Sequence, residues 1–401
     1  MGAEGQGRVA VRHLQDGLTG TSISLVAAMT VGFVKRSGAD TPAERVPQPG
    51  VGPSRYYETL DALRGVAAFA VLLLHTRYWL WPGLARSAYL AVDFFFVLSG
   101  FVVAHAYDAK LGRGLPVARF LKLRLIRLHP LHLAGILIGA AAVAPAALAG
   151  GFRLSPGEVG LALAFGSVFL PWPFPYQPPH LFPLNPPAWS LFFEVLASFA
   201  YGLTHRWLSQ RVLIATVACA GAALCVKAAV TGTIDGGVRW TTFETGLARV
   251  FFSFPLGVLL YRRRAFIPPG LGAWGPWPLL AVLFLACLPT VPAPWRAFYD
   301  LAFVGAVAPM LVAAGTQASP SAAARPFFLT LGAISFPLYV LHEPLRGWLL
   351  AAAYRLGLEG PAVGLAYLVA ILGFAWVAAP LDAAVRRRLL GRSHRRPVRT
   401  S

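Results

Sequence analysis

Residues 60–101, LDALRGVAAFAVLLLHTRYWLWPGLARSAYLAVDFFFVLSGF, set ionisable side chains inside two apolar runs. Arg64 and His75 lie on the first and Asp93 on the second. Eleven residues are close to three turns of an α-helix. Arg64 and His75 are therefore expected on one stripe, about 16 Å apart along the axis. Further along, PPAWSLFFEV carries Glu194, and SFPLYVLHEPL carries His342 and Glu343 between Pro337 and Pro344. Charged groups in membrane helices are costly and usually face a bundle interior or a water-filled cavity. A neutral imidazole near pKa 6.5 can take a proton from a hydroxyl, and a carboxylate can hold the ring in place. The alternative is that Arg64 snorkels and His75 is packed core. Four intramembrane sites are more than stability requires.

A second set of residues suits anion binding. RFLKLRLIRLHPLHL places Arg124 and Arg127 three apart, neighbours on one helical face, with Arg119 and Lys122 nearby. Arginine grips phosphate through two parallel hydrogen bonds, so this segment, with Arg64, could cradle a phosphorylated cofactor; plain anchoring of a basic loop is the competing account. His129 and His132 are spaced as a chelating pair but lack a third ligand in reach, and no metal site is expected. Residues 171–187 hold eight prolines, which exclude regular helix or sheet. Trp172, Phe174 and Tyr176 would make this stretch either an aromatic lid over a sugar or a simple connector.

The elements that must carry these groups are membrane helices. Hydrophobic residues make up 57% of the chain, charged residues only 13%, and the mean hydropathy is +0.61. Soluble proteins carry about 25% charged residues. The net charge of +19 sits in loops and tails between apolar runs, which points to membrane topology rather than nucleic acid. Spans are expected near 60–80, 88–107, 129–149, 188–206, 212–231, 243–261, 276–292, 297–316, 331–352 and 361–381. Placing every basic loop on one side forces an odd number of crossings before residue 188. The short stretch 157–171 is then expected to be re-entrant or interfacial. The fold class is thus all-α, a polytopic transmembrane bundle of about ten crossings with both termini cytoplasmic. Residues 1–54 read as a flexible cytoplasmic tail, 55–383 as the membrane domain and 384–401 as a basic tail. Cys219, Cys225 and Cys287 read as small core residues.

Five ordered segments resemble the membrane acyltransferase 3 family of bacterial integral-membrane O-acyltransferases. LDALRGVAAFAVLLLHTRYW is similar to its first-helix pattern, an arginine followed after ten residues by a histidine, here Arg64 and His75. AVDFFFVLSGF resembles its second helix, with Asp93, Phe94, Phe95, Ser99, Gly100 and Phe101. RLIRLHPLHL resembles its R-x-x-R-I-x-P-x-Y segment through Arg124, Arg127 and Pro130, with His132 where an aromatic residue is usual. PAWSLFFEV matches W-S-L-x-x-E through Trp189, Ser190, Leu191 and Glu194, and ISFPLYVLHEPL matches a late helix through Tyr339 and His342.

The resemblance covers about residues 56–381. It implies ten helices, acyl-CoA (most simply acetyl-CoA) as a cytoplasmic donor, and a carbohydrate or glycosylated acceptor. The location implied is the bacterial inner membrane. His75 is then the expected base, with Asp93 or Glu194 orienting it. Arg64, Arg124 and Arg127 are expected on the donor phosphates, and Ser99, Trp189, Tyr339 and His342 on substrate. An acyl intermediate on His75 or Ser99 is a variant of the same scheme. A proton-coupled transporter or a non-catalytic assembly partner would use the same intramembrane groups differently.

Overall fold

The computed structural model describes residues 56–174 and 178–394. The expected N-terminal tail 1–54, Tyr176 and residues 395–401 lie outside the described residues. The described chain folds into helices, in order α1 (Glu58–Thr76), α2 (Ala91–Gly112, entered through a 3-10 turn at Ala88–Leu90), α3 (Val117–Leu148), α4 (Pro156–Ser167), α5 (Ala188–Thr204), α6 (Gln210–Thr231), α7 (Phe243–Arg262), α8 (Pro276–Cys287), α9 (Ala293–Ala302), α10 (Ala308–Gly315), α11 (Arg325–Arg355) and α12 (Pro361–His394). Helices α9 and α10 are one rod joined by a π turn at Phe303–Val307. No β-strand occurs among the described residues, as the all-α expectation required.

Eight of these rods are long and apolar enough to cross a membrane, and the shorter apolar helices Ala188–Thr204 and Pro276–Cys287 add to them. The protein is a multi-pass membrane protein. Helix α4 has only 12 residues and starts at a capping box, Ser155 and Glu158 each bonding the other's backbone. Two boundaries differ from the sequence expectation. The basic segment before residue 129 is the first three turns of α3, not a loop. Helix α12 also runs through residues 384–394, where a tail was expected. In both places the residues are mainly Arg, Lys and Leu, which propagate a helix well. Cys287 is buried, but Cys219 and Cys225 are exposed on α6, because that helix turns most of its surface outward.

Two helix pairs position the chemistry. Helix α1 packs most extensively on α11, and α2 on α7. At the α2–α7 crossing the backbones nearly touch. A Cβ on Gly100 would meet the Phe254 carbonyl oxygen at 2.0 Å, and one on Gly257 would meet that of Val97 at 2.0 Å. Small residues permit this approach where lipid supplies no hydrophobic drive.

Helix α11 runs through two prolines, Pro337 and Pro344. Pro344 has no N–H to give the Val340 carbonyl, and that oxygen accepts the Asn185 Nδ2–H at 3.2 Å instead. The proline-rich segment is thereby tied to α11. It is also strapped to the segment before α7, with Leu181 N–H donating to Val238 O and Trp240 N–H to Pro179 O.

Candidate active site

Arg64 and His75 both face α11, as their spacing predicts. The Arg64 guanidinium donates to Ser335 Oγ at 2.7 Å, to the Gly332 carbonyl at 2.9 Å and to Asp61 at 2.9 Å. Three turns on, His75 Nδ1 meets Glu343 Oε1 at 2.6 Å. The carboxylate can only accept, so Nδ1 carries the proton, and in the neutral ring Nε2 presents a lone pair. Glu343 also accepts from Arg346 Nη1 at 2.9 Å. The glutamate side chain is 6% exposed and the histidine 29%, so the ring is reachable while its orienting group is enclosed. His342 stands edge-on to His75 at 4.8 Å between ring centroids. Its Nδ1–H donates to the Tyr339 carbonyl at 2.8 Å, which leaves Nε2 as a bare lone pair, buried and without a protein partner.

Donor atoms of His75, His342 and Glu343 lie within 4.8 Å of one another, close enough in principle to share a metal. The His75–Glu343 bond occupies Nδ1 and Oε1, and what the arrangement offers as it stands is an oriented base beside a second acceptor nitrogen.

The carboxylates expected to orient His75 are elsewhere. Asp93 forms a two-bond pair with Arg249, Oδ1 to Nε at 3.1 Å and Oδ2 to Nη2 at 2.7 Å. Arg249 also donates to the Gly236 and Tyr89 carbonyls, both at 2.8 Å. Both side chains are sealed, at 0% and 1% exposure. Trp189, expected on substrate, packs instead over this guanidinium at 5.3 Å and against Phe96. Asp93, Arg249 and Trp189 thus form a closed structural knot between α2, α5 and α7.

Glu194 lies on the other side of the bundle interior, accepting from Arg124 Nη2 at 2.6 Å and from Ser99 Oγ at 2.7 Å. The reason for both misplacements is a shared one. Depth along a helix is readable from sequence, but rotation about its axis in the assembled bundle is not.

Arg64, Ser99, Arg124 and Glu194 are brought together in a cavity of about 220 Å³. It opens toward the basic end, where Arg127 and Arg386 line its mouth, and it ends against Ser190 and Tyr339. The two hydroxyls of that wall are hydrogen-bonded at 2.7 Å. His75 is beyond the wall. The Tyr339 ring lies 6.0 Å from that of His342, which in turn touches His75. Within the cavity Arg64 and Arg124 already hold carboxylates, whereas Arg127 is exposed at the mouth. His129 and His132 do not form a metal pair. Each ring bonds a backbone carbonyl at the end of α4, Ser167 and Gly166 respectively. Trp172 is buried against Phe165 and Phe174, so it offers no open face to a sugar.

Sequence reasoning missed three neighbours of the expected site residues. Glu343 was visible as an intramembrane charge but not as the partner of His75. The i, i+11 stripe of α1 and the 11-residue interval from Gly332 to Glu343 are the signal that could have paired them. Arg249 sits alone in the apolar run of α7 and has the same character as Asp93. Arg386 appeared as tail, and only the extension of α12 brings it to the cavity mouth.

A family model described as an acyltransferase domain matches residues 57–379. Protein 2 in the picA locus of Rhizobium radiobacter is 38% identical over 174 residues, which is 41% of this chain and 89% of that protein. No solved structure matches. The matched region holds both the His75–Glu343 pair and the cavity residues up to Tyr339, and the chain belongs to the membrane acyltransferase 3 family and is an acyltransferase.

Proposed function

We propose that this acyltransferase moves an acyl group from acyl-CoA, entering at the basic cytoplasmic end, to a hydroxyl of a sugar, polysaccharide, glycolipid or glycosylated metabolite at the opposite face. Acetyl is the simplest such group. The setting proposed is the bacterial inner membrane. One observation carries the reading: a base with its proton on the correct nitrogen sits just past the inner wall of a cavity whose mouth is lined with arginines.

His75 Nε2 takes the acceptor hydroxyl proton as the oxygen attacks the thioester carbonyl. Glu343 holds the ring and stabilises the imidazolium that results. The proton then passes to the departing thiolate, so the histidine returns to its starting form. His342 Nε2 accepts a hydrogen bond from a second acceptor hydroxyl and sets its approach. Arg127 and Arg386 hold the donor phosphates. The pantetheine arm runs up the cavity past Arg64, Ser99 and the Arg124–Glu194 pair. For the thioester to meet His75, the Tyr339–Ser190 bond must open. Direct transfer is favoured over an acyl-Ser99 route. The Ser99 hydroxyl has only a carboxylate already paired with Arg124 as its base, and it lies on the far side of Tyr339 from His75.

The test is a thermal-shift titration of detergent-purified protein with acetyl-CoA and longer acyl-CoAs. A bound donor stabilises by about 2.7 kcal/mol at a hundredfold excess over Kd. Arg127→Ala is the control, since Arg124→Ala would strip Glu194 of its counter-ion and destabilise the fold on its own. A shift that Arg127→Ala removes supports the donor site. No shift with any acyl-CoA, in folded protein, refutes acyl-CoA as donor and reopens transport of a polar metabolite.

A further inference from the structure

Arginine and lysine concentrate on one face of a membrane protein, and the opposite face is normally poor in them. Around His180, at the end of the bundle away from the basic mouth, that expectation fails. Arg239, Arg153 and Arg346 all act electrostatically on this histidine, and Glu343 opposes them. Burial, and next the charge of Arg239, hold the His180 imidazole below its ordinary pKa, so it adds no charge of its own. The three arginines come from separate segments. Arg153 follows the end of α3, Arg239 precedes α7, and Arg346 lies one turn past Glu343 on α11.

Glu343 does not neutralise this group. One of its oxygens already serves both His75 Nδ1 at 2.6 Å and Arg346 Nη1 at 2.9 Å. The Arg346 side chain remains 40% exposed. Arg239 is fixed by its backbone rather than by a counter-ion. It forms a bridge with His180, flanked by Leu181 N–H to Val238 O at 2.9 Å and Trp240 N–H to Pro179 O at 3.0 Å. Its side chain is exposed, and among the described residues no carboxylate pairs with it. The adjacent Trp240 is 41% exposed. Its ring is held by stacking on Phe243 at 5.3 Å and by an Nε1–H bond to the Trp172 carbonyl at 2.7 Å. A cation and an aromatic ring pinned side by side leave little ordering cost for a bound molecule.

We infer that the acceptor is an acidic glycan, whose carboxylates dock on Arg239 and Arg153 and whose reacting sugar lies beside Arg346. The inference rests on His75 serving as base in acyl transfer to a sugar hydroxyl, and it names the class of that sugar. Arg346 and His75 share one oxygen of Glu343, so an acid group on the reacting sugar meets a guanidinium next to the base. The cations are spread singly over three segments, which matches one carboxylate per sugar along a chain. A single phosphate group is instead gripped by guanidinium donors that converge on it. The C–H face of a sugar ring rests well on an exposed indole, and Trp240 offers one beside Arg239. Planar guanidinium groups take carboxylates through paired N–H donors. A neutral glycan has no use for arginines on a face where they are normally scarce.

The experiment labels the native acceptor in inverted membrane vesicles with labelled acetyl-CoA and the full-length protein. The labelled product is run on an anion exchanger untreated, after carbodiimide amidation of its carboxyl groups, and after phosphatase with phosphodiesterase. The product is expected to be retained, and amidation to lower that retention. Arg239→Gln, at matched amounts of folded protein, is expected to lower initial labelling about threefold to tenfold, and Arg239→Lys to recover most of the loss. Arg239 is exposed, so its replacement spares the fold. Label in the unretained fraction, or retention that amidation leaves unchanged, overturns the acidic glycan; retention then lost to the phosphate-cleaving enzymes assigns a phosphorylated acceptor. Undiminished labelling by Arg239→Gln overturns its docking role. No label from the parent overturns acyl transfer from acetyl-CoA itself, and this inference with it.

Discussion

Two of the ion pairs within the helical bundle, Asp93–Arg249 and His75–Glu343, are built to opposite ends. Asp93 and Arg249 are sealed, and every nitrogen of the guanidinium has an acceptor. His75 and Glu343 are joined by one short bond, and the histidine is open to the space beside it. The neighbouring His342 keeps a lone pair unmet. The first pair has nothing left to offer a substrate. The second has an orienting bond on one side and free nitrogen on the other. Charge inside a membrane helix is thus a weak sign of chemistry, and incomplete satisfaction beside an open space is a stronger one.

The comparison can be broken from either end. The largest effect is expected at His75: His75→Ala should cost about 10²–10⁴-fold in acyl transfer, the usual range for a lost general base, while the protein stays inserted and folded. Asp93→Asn should act on stability instead. Removing one partner of a buried pair costs about 3–5 kcal/mol, read as a lower melting temperature in detergent. Replacing both partners, Asp93→Leu with Arg249→Met, should regain most of that loss and restore transfer, since well-packed apolar residues often substitute for a buried pair. A stable but inactive double variant would return Asp93 to the chemistry.

Glu343→Gln comes next. It should keep the fold and lower the rate on the order of a hundredfold or more, because the amide can present its N–H to Nδ1 and favour the wrong tautomer. Gly257→Val tests the α2–α7 contact that holds the sealed pair. It should destabilise by about 1–3 kcal/mol through overpacking, measured by thermal unfolding. Smallest should be Tyr339→Phe, which removes the Ser190 hydrogen bond and costs about 1 kcal/mol of stability. If that bond gates the thioester, the variant keeps or gains transfer rate.

Much of this was legible in the chain itself. The apolar runs foretold the helices, and 157–171 was marked as too short to cross, as the 12-residue α4 bears out in length. The stripe carrying Arg64 and His75 was correct because it depends only on helical periodicity. What could not be read was which partner faces that stripe. His75 meets Glu343, 268 residues later, through the packing of α1 on α11, which sets two matching 11-residue intervals side by side. Asp93 looked like its partner because it lies at a similar depth. It turns the other way, toward an arginine whose helix carries no recognisable motif. The proline-rich loop shows the same limit. Its prolines excluded helix, but its anchor is Asn185 on a carbonyl freed by Pro344, a bond made across 155 residues.

The most direct test of the central claim uses inverted membrane vesicles that contain the native acceptor, supplied with labelled acetyl-CoA. Label entering the glycan and lipid fractions is compared for the parent, His75→Ala, Glu343→Gln and the Asp93→Leu, Arg249→Met double variant, each at matched amounts of folded protein. The account predicts label with the parent and the double variant, none above background with His75→Ala, and a small residue with Glu343→Gln. Undiminished labelling by His75→Ala contradicts it.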